Sequence, residues 1–365
     1  MNKERLIDRF VKYCACPSES CDEKVFAEMI EAELQQLGLE TWRDEVGAQC
    51  DSNGFNVHAF LPGEGEPILF SAHMDTATPG KVVNPVIDGD IIRSDGTSIL
   101  GSDDKSGIAA VMEMLECLKE NPRPHRPIEV FFSICEELGL LGAEFADYSK
   151  IRSREAVVLD GDYPGCITNQ TAGILRFKVE INGKCSHAAL DPESGVNALK
   201  AAAQVVCRAK LGYHDIGVLN IANLLAPGEG NMVSDKATFD VELRAFTEED
   251  RTTLQNYVLN IVEEVCAETP GLTYSWAETM RTAILYVPED SALLKRMIEV
   301  HSSLGEAPQL LKSYAGCDAS HLDLNGIAAV DYGTGMQLVH STEEFIRIDD
   351  LVKTALFVEG MVDLV

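Results

Sequence analysis

Residues 105–135 read KSGIAAVMEMLECLKENPRPHRPIEVFFSIC. Ile108, Val111, Met112, Leu115 and Leu118 recur at helical spacing, which predicts a helix over 105–119 with one apolar face. NPRPHRP at 121–127 stops it. PIEVFFSIC at 127–135, mostly apolar, then reads as a buried strand. Working outward, NVHAFL at 56–61, ILFSA at 68–72 and EAVVLD at 155–160 read as further short strands. Strand alternating with helix argues for an α/β fold, a mixed, mostly parallel sheet flanked by helices. The chain opens helical. Ser20 followed by Glu23 suits a capping box for a second helix running to about Leu37, with Gly38 as its stop.

The pattern changes after about residue 170. ILRFKVEINGK at 174–184 alternates, with Phe177, Val179 and Ile181 on one side. A helix near 196–209, GVLNIANLLA at 217–226, ATFDVELRAF at 237–246, a helix near 248–267 and LTYSWAE at 272–278 follow. That is β-α-β-β-α-β order, a small α+β, ferredoxin-like sheet with two helices. From about 285 the α/β style returns, with a helix near 291–304 and the strand GIAAV at 326–330. A domain of 171–283 inserted in one formed by 1–170 and 284–365 accounts for this order.

The chain has 365 residues, with 30 Lys and Arg against 59 Asp and Glu, a net charge of −29. So acidic a surface repels phosphate backbones and anionic lipid, which argues against nucleic acid or membrane as a partner. The 11 cysteines are scattered, odd in number and without C-x-x-C spacing. Free thiols suit a reducing compartment. The N-terminus lacks the apolar core of a signal peptide. A cytoplasmic location is expected.

Ligand-type residues gather where the strands end, the place where open α/β sheets bind ligands. They are His73 and Asp75 after ILFSA, Asp103 and Asp104 opening the helix at 105, Glu136 and Glu137 after PIEVFFSIC, Asp160 ending EAVVLD, and His340 far off in sequence. Each has a bland reading: a surface loop, an acidic helix cap, a solvated turn. Taken together, two histidines and several carboxylates suit a pair of borderline metals such as zinc, cobalt or manganese. His58, His125, His214 and His301 are read as surface or packed residues. His321, near the C-terminal site segment, is read as structural rather than functional.

SAHMDT, LGSDDKSGIAA, EELGLLGAE, VVLDGD, GKCSHAA, GNMVSDKATFDVELR and GTGMQLVHSTEEFI occur in this order along nearly the whole chain. The sequence thereby resembles the co-catalytic zinc metallopeptidase family of peptidase T, carboxypeptidase G and the aminoacylases, nearest its peptidase T-like branch. The resemblance implies a zinc exopeptidase-like fold, two divalent ions and an inserted lid and dimerisation domain. It implies that His73 and Asp160 ligate one ion, His340 and Glu137 the other, and Asp103 bridges them. It makes Glu136 the general base acting on a metal-bridging water and places Asp75 behind His73. It further implies a cis Asp103–Asp104 peptide. In the inserted domain, His187 would complete a partner subunit's site, and Arg244 and Asn231 would contact substrate. His187-Ala188-Ala189 departs from the family's usual His-Ala-Gly or His-Pro-Gly, and Cys317 stands where relatives often carry a small polar residue.

The function implied is hydrolysis of short peptides by a homodimeric tripeptide aminopeptidase. An N-acyl-amino-acid deacylase or carboxypeptidase of the same family is the alternative within this chemistry. A non-enzymatic binding protein on the same fold is the alternative outside it.

Overall fold

The computed structural model describes residues 1–305 and 307–364. The chain divides into two compact units. One comprises Met1–Gln170, Leu285–Ser313 and Cys317–Val365; the other comprises Thr171–Ile284 and Tyr314–Gly316.

The first unit is built on a nine-stranded mixed sheet. Its centre is four parallel strands in the order Ile128–Ser133, Ile68–His73, Glu155–Gly161 and Ala328–Gly333. Antiparallel strands extend it on both sides. The apolar runs form these strands because both faces are covered: Ile68–His73 and Ile128–Ser133 are buried along their whole length. The central helix Ser102–Glu120 is buried from Ser102 to Leu115. Gly107 lets it close on the sheet, since a Cβ there would stand 2.7 Å from the carbonyl oxygen and Cβ of Leu159. A separate four-stranded sheet joins Met336–Gln337, Phe345–Arg347, Ile91–Arg93 and Val86–Asp88, and frames the loop that carries His340.

Two expectations need correction. Ser20 and Glu23 do not form a capping box. The helix begins at Lys24, and Glu23, in its cap position, makes no side-chain cap bond. Its buried carboxylate instead accepts from Cys21 N and Cys135 N, while Ser20 Oγ donates to Asp75. Long-range demands outcompete the local cap. The strand expected at 326–330 starts two residues later and ends three residues later, Ala328–Gly333, because its register follows Glu155–Gly161.

The second unit is an antiparallel sheet in the order Gly212–His214, Gly217–Leu225, Lys236–Ala245, Gly173–Asn182 and Thr273–Arg281. Without the short first strand, it has the ferredoxin-like order. Leu175, Phe177, Val179 and Ile181 are buried together with Phe239, Val241 and Leu243, and the helices Ala198–Arg208 and Glu248–Glu268 add Ala202, Val205, Val258 and Val262 to that core. Among the described residues no helix is long and apolar enough to cross a membrane.

Candidate metal centre

His73, Glu136, Glu137 and Asp160 stand at or just past the same ends of three adjacent parallel strands. Asp103 and Asp104 open the central helix, and their peptide bond is cis. His340 comes from the loop of the small sheet, with φ of 60°.

The side chains converge around Asp103. Its Oδ1 is 2.9 Å from His73 Nε2 and its Oδ2 is 3.1 Å from His340 Nε2. Each ring has a second carboxylate: Asp160 Oδ1 lies 3.6 Å from His73 Nε2, and Glu137 Oε1 lies 2.8 Å from His340 Nε2. Donor atoms of His73, Asp103 and Glu137 lie within 4.8 Å of one another, as do those of His73, Asp104 and Asp160.

The donor chemistry fits cations. His73 Nδ1 is 2.8 Å from the carbonyl oxygen of Asp75, which can only accept. Nδ1 therefore carries the proton, and in the neutral ring Nε2 presents a lone pair to Asp103 and Asp160. Carboxylates facing that nitrogen in a buried site require a positive charge there, which a metal ion or a second ring proton supplies. The nearby Lys105 does not supply it. Its ammonium donates to Cys16 O at 2.7 Å and lies 4.7 Å from the centre of the Phe26 ring. The residues present fit a pair of metal ions.

The sequence profile of Peptidase family M20/M25/M40 matches residues 69–363. The chain belongs to this family. It is a peptide hydrolase. "Uncharacterized protein YqjE" of Bacillus subtilis is 29% identical, covering 100% of this chain and 99% of that protein. The crystal structure of aminopeptidase PepT from Bacillus cereus is 29% identical with a TM-score of 0.93, covering 99% of this chain and 98% of that one. The crystal structure of a tripeptidase from Staphylococcus aureus is 27% identical with a TM-score of 0.94, again covering 99% and 98%. The likeness to peptidase T extends over the whole peptidase.

Charge in the peptidase's centre is strongly redistributed. Burial works against a charged His73, but Asp103, Asp160 and Asp75 outweigh it and hold the ring well above its ordinary value. Asp103 and Glu137 raise His340 to about 10. Burial, reinforced by Asp160, pushes the Glu136 carboxyl well up.

Asp75 behaves differently from the simple picture of a carboxylate behind His73. Its Oδ1 is 3.4 Å from His73 Nδ1, further than its own carbonyl oxygen. The carboxylate also accepts from Glu136 N at 2.9 Å and Glu137 N at 3.2 Å, fixing the turn between them.

His187, Asn231 and Arg244 lie in the second unit. His187 and Asn231 are exposed. His187 Nδ1 accepts from Ala189 N and Leu190 N at 3.2 Å each. Asn231 O accepts from Ala188 N. The Arg244 guanidinium donates to Glu242 at 2.9 Å and to Tyr314 O at 2.7 Å.

Two residues, Glu344 and Asp331, escaped the sequence reading, and Asp104 was noted without a role of its own. Glu344, buried, accepts from Leu100 N, Gly101 N, Ser102 N, Ser102 Oγ and Asp103 N, fixing the turn that presents Asp103. Asp331 accepts from Asp160 N at 3.0 Å. Asp104 accepts from His73 N and Gly107 N, both at 3.2 Å. The signal for Glu344 was its place four residues after His340 in HSTEEF. The signal for Asp331 was its place in a strand whose neighbours are apolar.

Proposed function

We propose that the chain is a dinuclear-metal tripeptide aminopeptidase of peptidase T type. The observation that carries this is Asp103: one oxygen faces His73 and the other faces His340, and each ring has its own further carboxylate. On this reading His73 and Asp160 would hold one ion and His340 and Glu137 the other, with Asp103 available to both. Zinc suits the mixed nitrogen and oxygen set; cobalt and manganese are the other candidates. Such ions polarise a scissile carbonyl and make water acidic near neutral pH.

The chain's own residues do the rest. Glu136 accepts a proton from the attacking water and delivers it to the leaving amine. Asp75 keeps Glu136 and Glu137 in register through their amides. We assign oxyanion stabilisation in a partner subunit to His187, and contact with substrate to Arg244, whose fork suits a carboxylate, and Asn231. The unit containing them is the proposed lid and dimerisation domain. The free cysteines suit the cytoplasm as the enzyme's location.

The exopeptidase reading draws on the likeness to an aminopeptidase and a tripeptidase over the full chain. A panel of di-, tri- and N-acylated peptides, tested with zinc, cobalt or manganese and read by mass spectrometry, decides it. Release of the N-terminal residue from tripeptides is expected. Preference for N-acylated substrates, or release of the C-terminal residue, would replace it with the deacylase or carboxypeptidase alternative.

A further inference from the structure

Directly behind the turn that carries Glu136 and Glu137 lies a cluster of thiols that hydrolysis does not use. Cys21 precedes the second helix, Cys50 ends the short helix Gly47–Cys50, and Cys135 immediately precedes Glu136. All three are reduced. Cys50 and Cys135 are buried, whereas Cys21 is partly exposed. The Sγ atoms of Cys21 and Cys135 each lie 3.9 Å from the carbonyl oxygen of Cys50. The sulfurs of Cys21 and Cys135 thus border the same carbonyl oxygen. Glu23 Oε1 binds the group together, accepting from Cys21 N at 2.9 Å, Cys135 N at 3.2 Å and Cys135 Sγ at 3.1 Å.

Cys135 is held in the left-handed region, with φ of 52°, by contacts on both sides. Behind it stand Glu23 and the two other thiols. Ahead of it Asp75 grips the amides of Glu136 and Glu137. A new covalent bond at Cys135 Sγ draws that sulfur toward a partner and away from Glu23. Where the Cys135 Cα shifts to reach that partner, the turn that follows shifts with it, because Cys135 and Glu136 share a peptide bond.

We propose that Cys21, Cys50 and Cys135 form an oxidation site, at which a peroxide converts two thiols to a disulfide at Cys135 and so reversibly displaces Glu136 and Glu137 and stops hydrolysis. Cys21, the most accessible of the three, reacts first: its thiolate attacks one peroxide oxygen, giving a sulfenic acid and expelling the other oxygen as hydroxide. The Cys135 sulfur then attacks the Cys21 sulfur, forming the S–S bond and releasing the sulfenic oxygen as water. Two thiols lose two electrons and one hydrogen peroxide becomes two waters. Cys50 can take over the bond by exchange at Cys135, returning Cys21 to the thiol. The loss of activity rests on the roles proposed above for Glu136 and Glu137; the bond itself does not.

The test uses the full-length, metal-loaded protein and hydrogen peroxide. After treatment and desalting, unreduced peptides are mapped by mass spectrometry and tripeptide hydrolysis is measured. A Cys135-linked disulfide should appear in step with a fall in kcat of about 100-fold, the scale set by moving a catalytic group by roughly 1 Å. Dithiothreitol, then desalting and metal replacement, should restore activity. The Cys21→Ser/Cys50→Ser double variant should keep its untreated activity and resist peroxide, and Cys21→Ser alone should slow the loss. Three results would overturn the proposal: activity lost with no Cys135-linked peptide, a Cys135 disulfide with full activity, or a double variant as sensitive as the wild type. Mapping reads the bond even if no tripeptide is cleaved, so failure of the thiol site is distinguishable from failure of the proposed function.

Discussion

The turn at 100–104 and the loop at 186–190 each carry a residue proposed to act in hydrolysis, and they are built in opposite ways. The turn is buried, and Glu344 collects its successive amides and the Ser102 hydroxyl. In the loop, His187, Ala188, Ala189 and Leu190 are all exposed, Leu190 to 82%. The His187 imidazole bonds to amides two and three residues away. The contrast follows from what each must do. Carboxylates and imidazoles that share cations must be held at fixed distances, and burial without satisfied partners would be costly. A side chain that meets a substrate gains from a segment that opens at little cost.

The largest effect is expected at the buried end. Glu136→Gln should lower kcat by about 100-fold or more, the scale for a lost general base, while metal content measured by mass spectrometry stays at the wild-type level. Near-normal turnover with both metals bound would remove Glu136 from that role.

At the exposed end, His187→Ala should lower kcat by about 100-fold, the scale for a lost oxyanion donor. Its Tm and metal content should not change, because the exposed imidazole bonds to amides of its own loop. Mixing His187→Ala with Glu136→Gln subunits should restore part of the activity if His187 acts across a dimer. Subunit exchange confirmed by mass spectrometry without recovery would place its action within its own chain or nowhere.

Glu344→Gln sharpens the contrast from the other side. It leaves every proposed ligand in place but weakens the hold on the Asp103 turn. Metal affinity should fall by about 10- to 100-fold, as when a group supporting a ligand is removed, in competition with a chelator. Unchanged affinity would mean that the turn holds its shape without Glu344.

The smallest effect on turnover is expected outside both regions. Glu113 is buried under Arg5 and Arg9, at 2.8 Å and 3.0 Å. Burial opposes its charge, but Arg5 outweighs burial and keeps the carboxyl below its ordinary range. A lowered folded-state value stabilises the protein above the ordinary carboxylate range, and this contribution is lost as pH falls through the folded value. Glu113→Gln should cost about 2 kcal/mol at neutral pH, below the usual scale for breaking a buried pair because Arg5 keeps some contact with water. The difference in denaturant midpoint should shrink below about pH 4. Equal stability at neutral pH would show the pair to be neutral.

These contrasts also mark what a sequence can reveal. The strands at 68–73 and 128–133 were legible because burial on both faces leaves a mostly apolar run. The second unit's strands were legible because burial on one face imposes a period of two. His73 and Asp160 drew notice by ending such runs. Glu344, Asp331 and Glu23 did not, because their work is to satisfy backbone amides of segments far off in the chain. Glu344 and Ser102 are separated by 242 positions, and no local pattern encodes such a bond. Glu23 was misread for the same reason: the local spacing suited a cap, while the fold uses it to hold Cys135.

The central claim is that His73, Asp103, Glu137, Asp160 and His340 together hold two ions. Calorimetric titration of the metal-free protein with zinc, run beside Asp103→Ala, tests it most directly. Two equivalents per chain are expected for the wild type, with at least one weakened or lost when the shared carboxylate is removed. A wild type that binds one equivalent or none, or an Asp103→Ala variant that binds two as tightly as the wild type, would contradict the account.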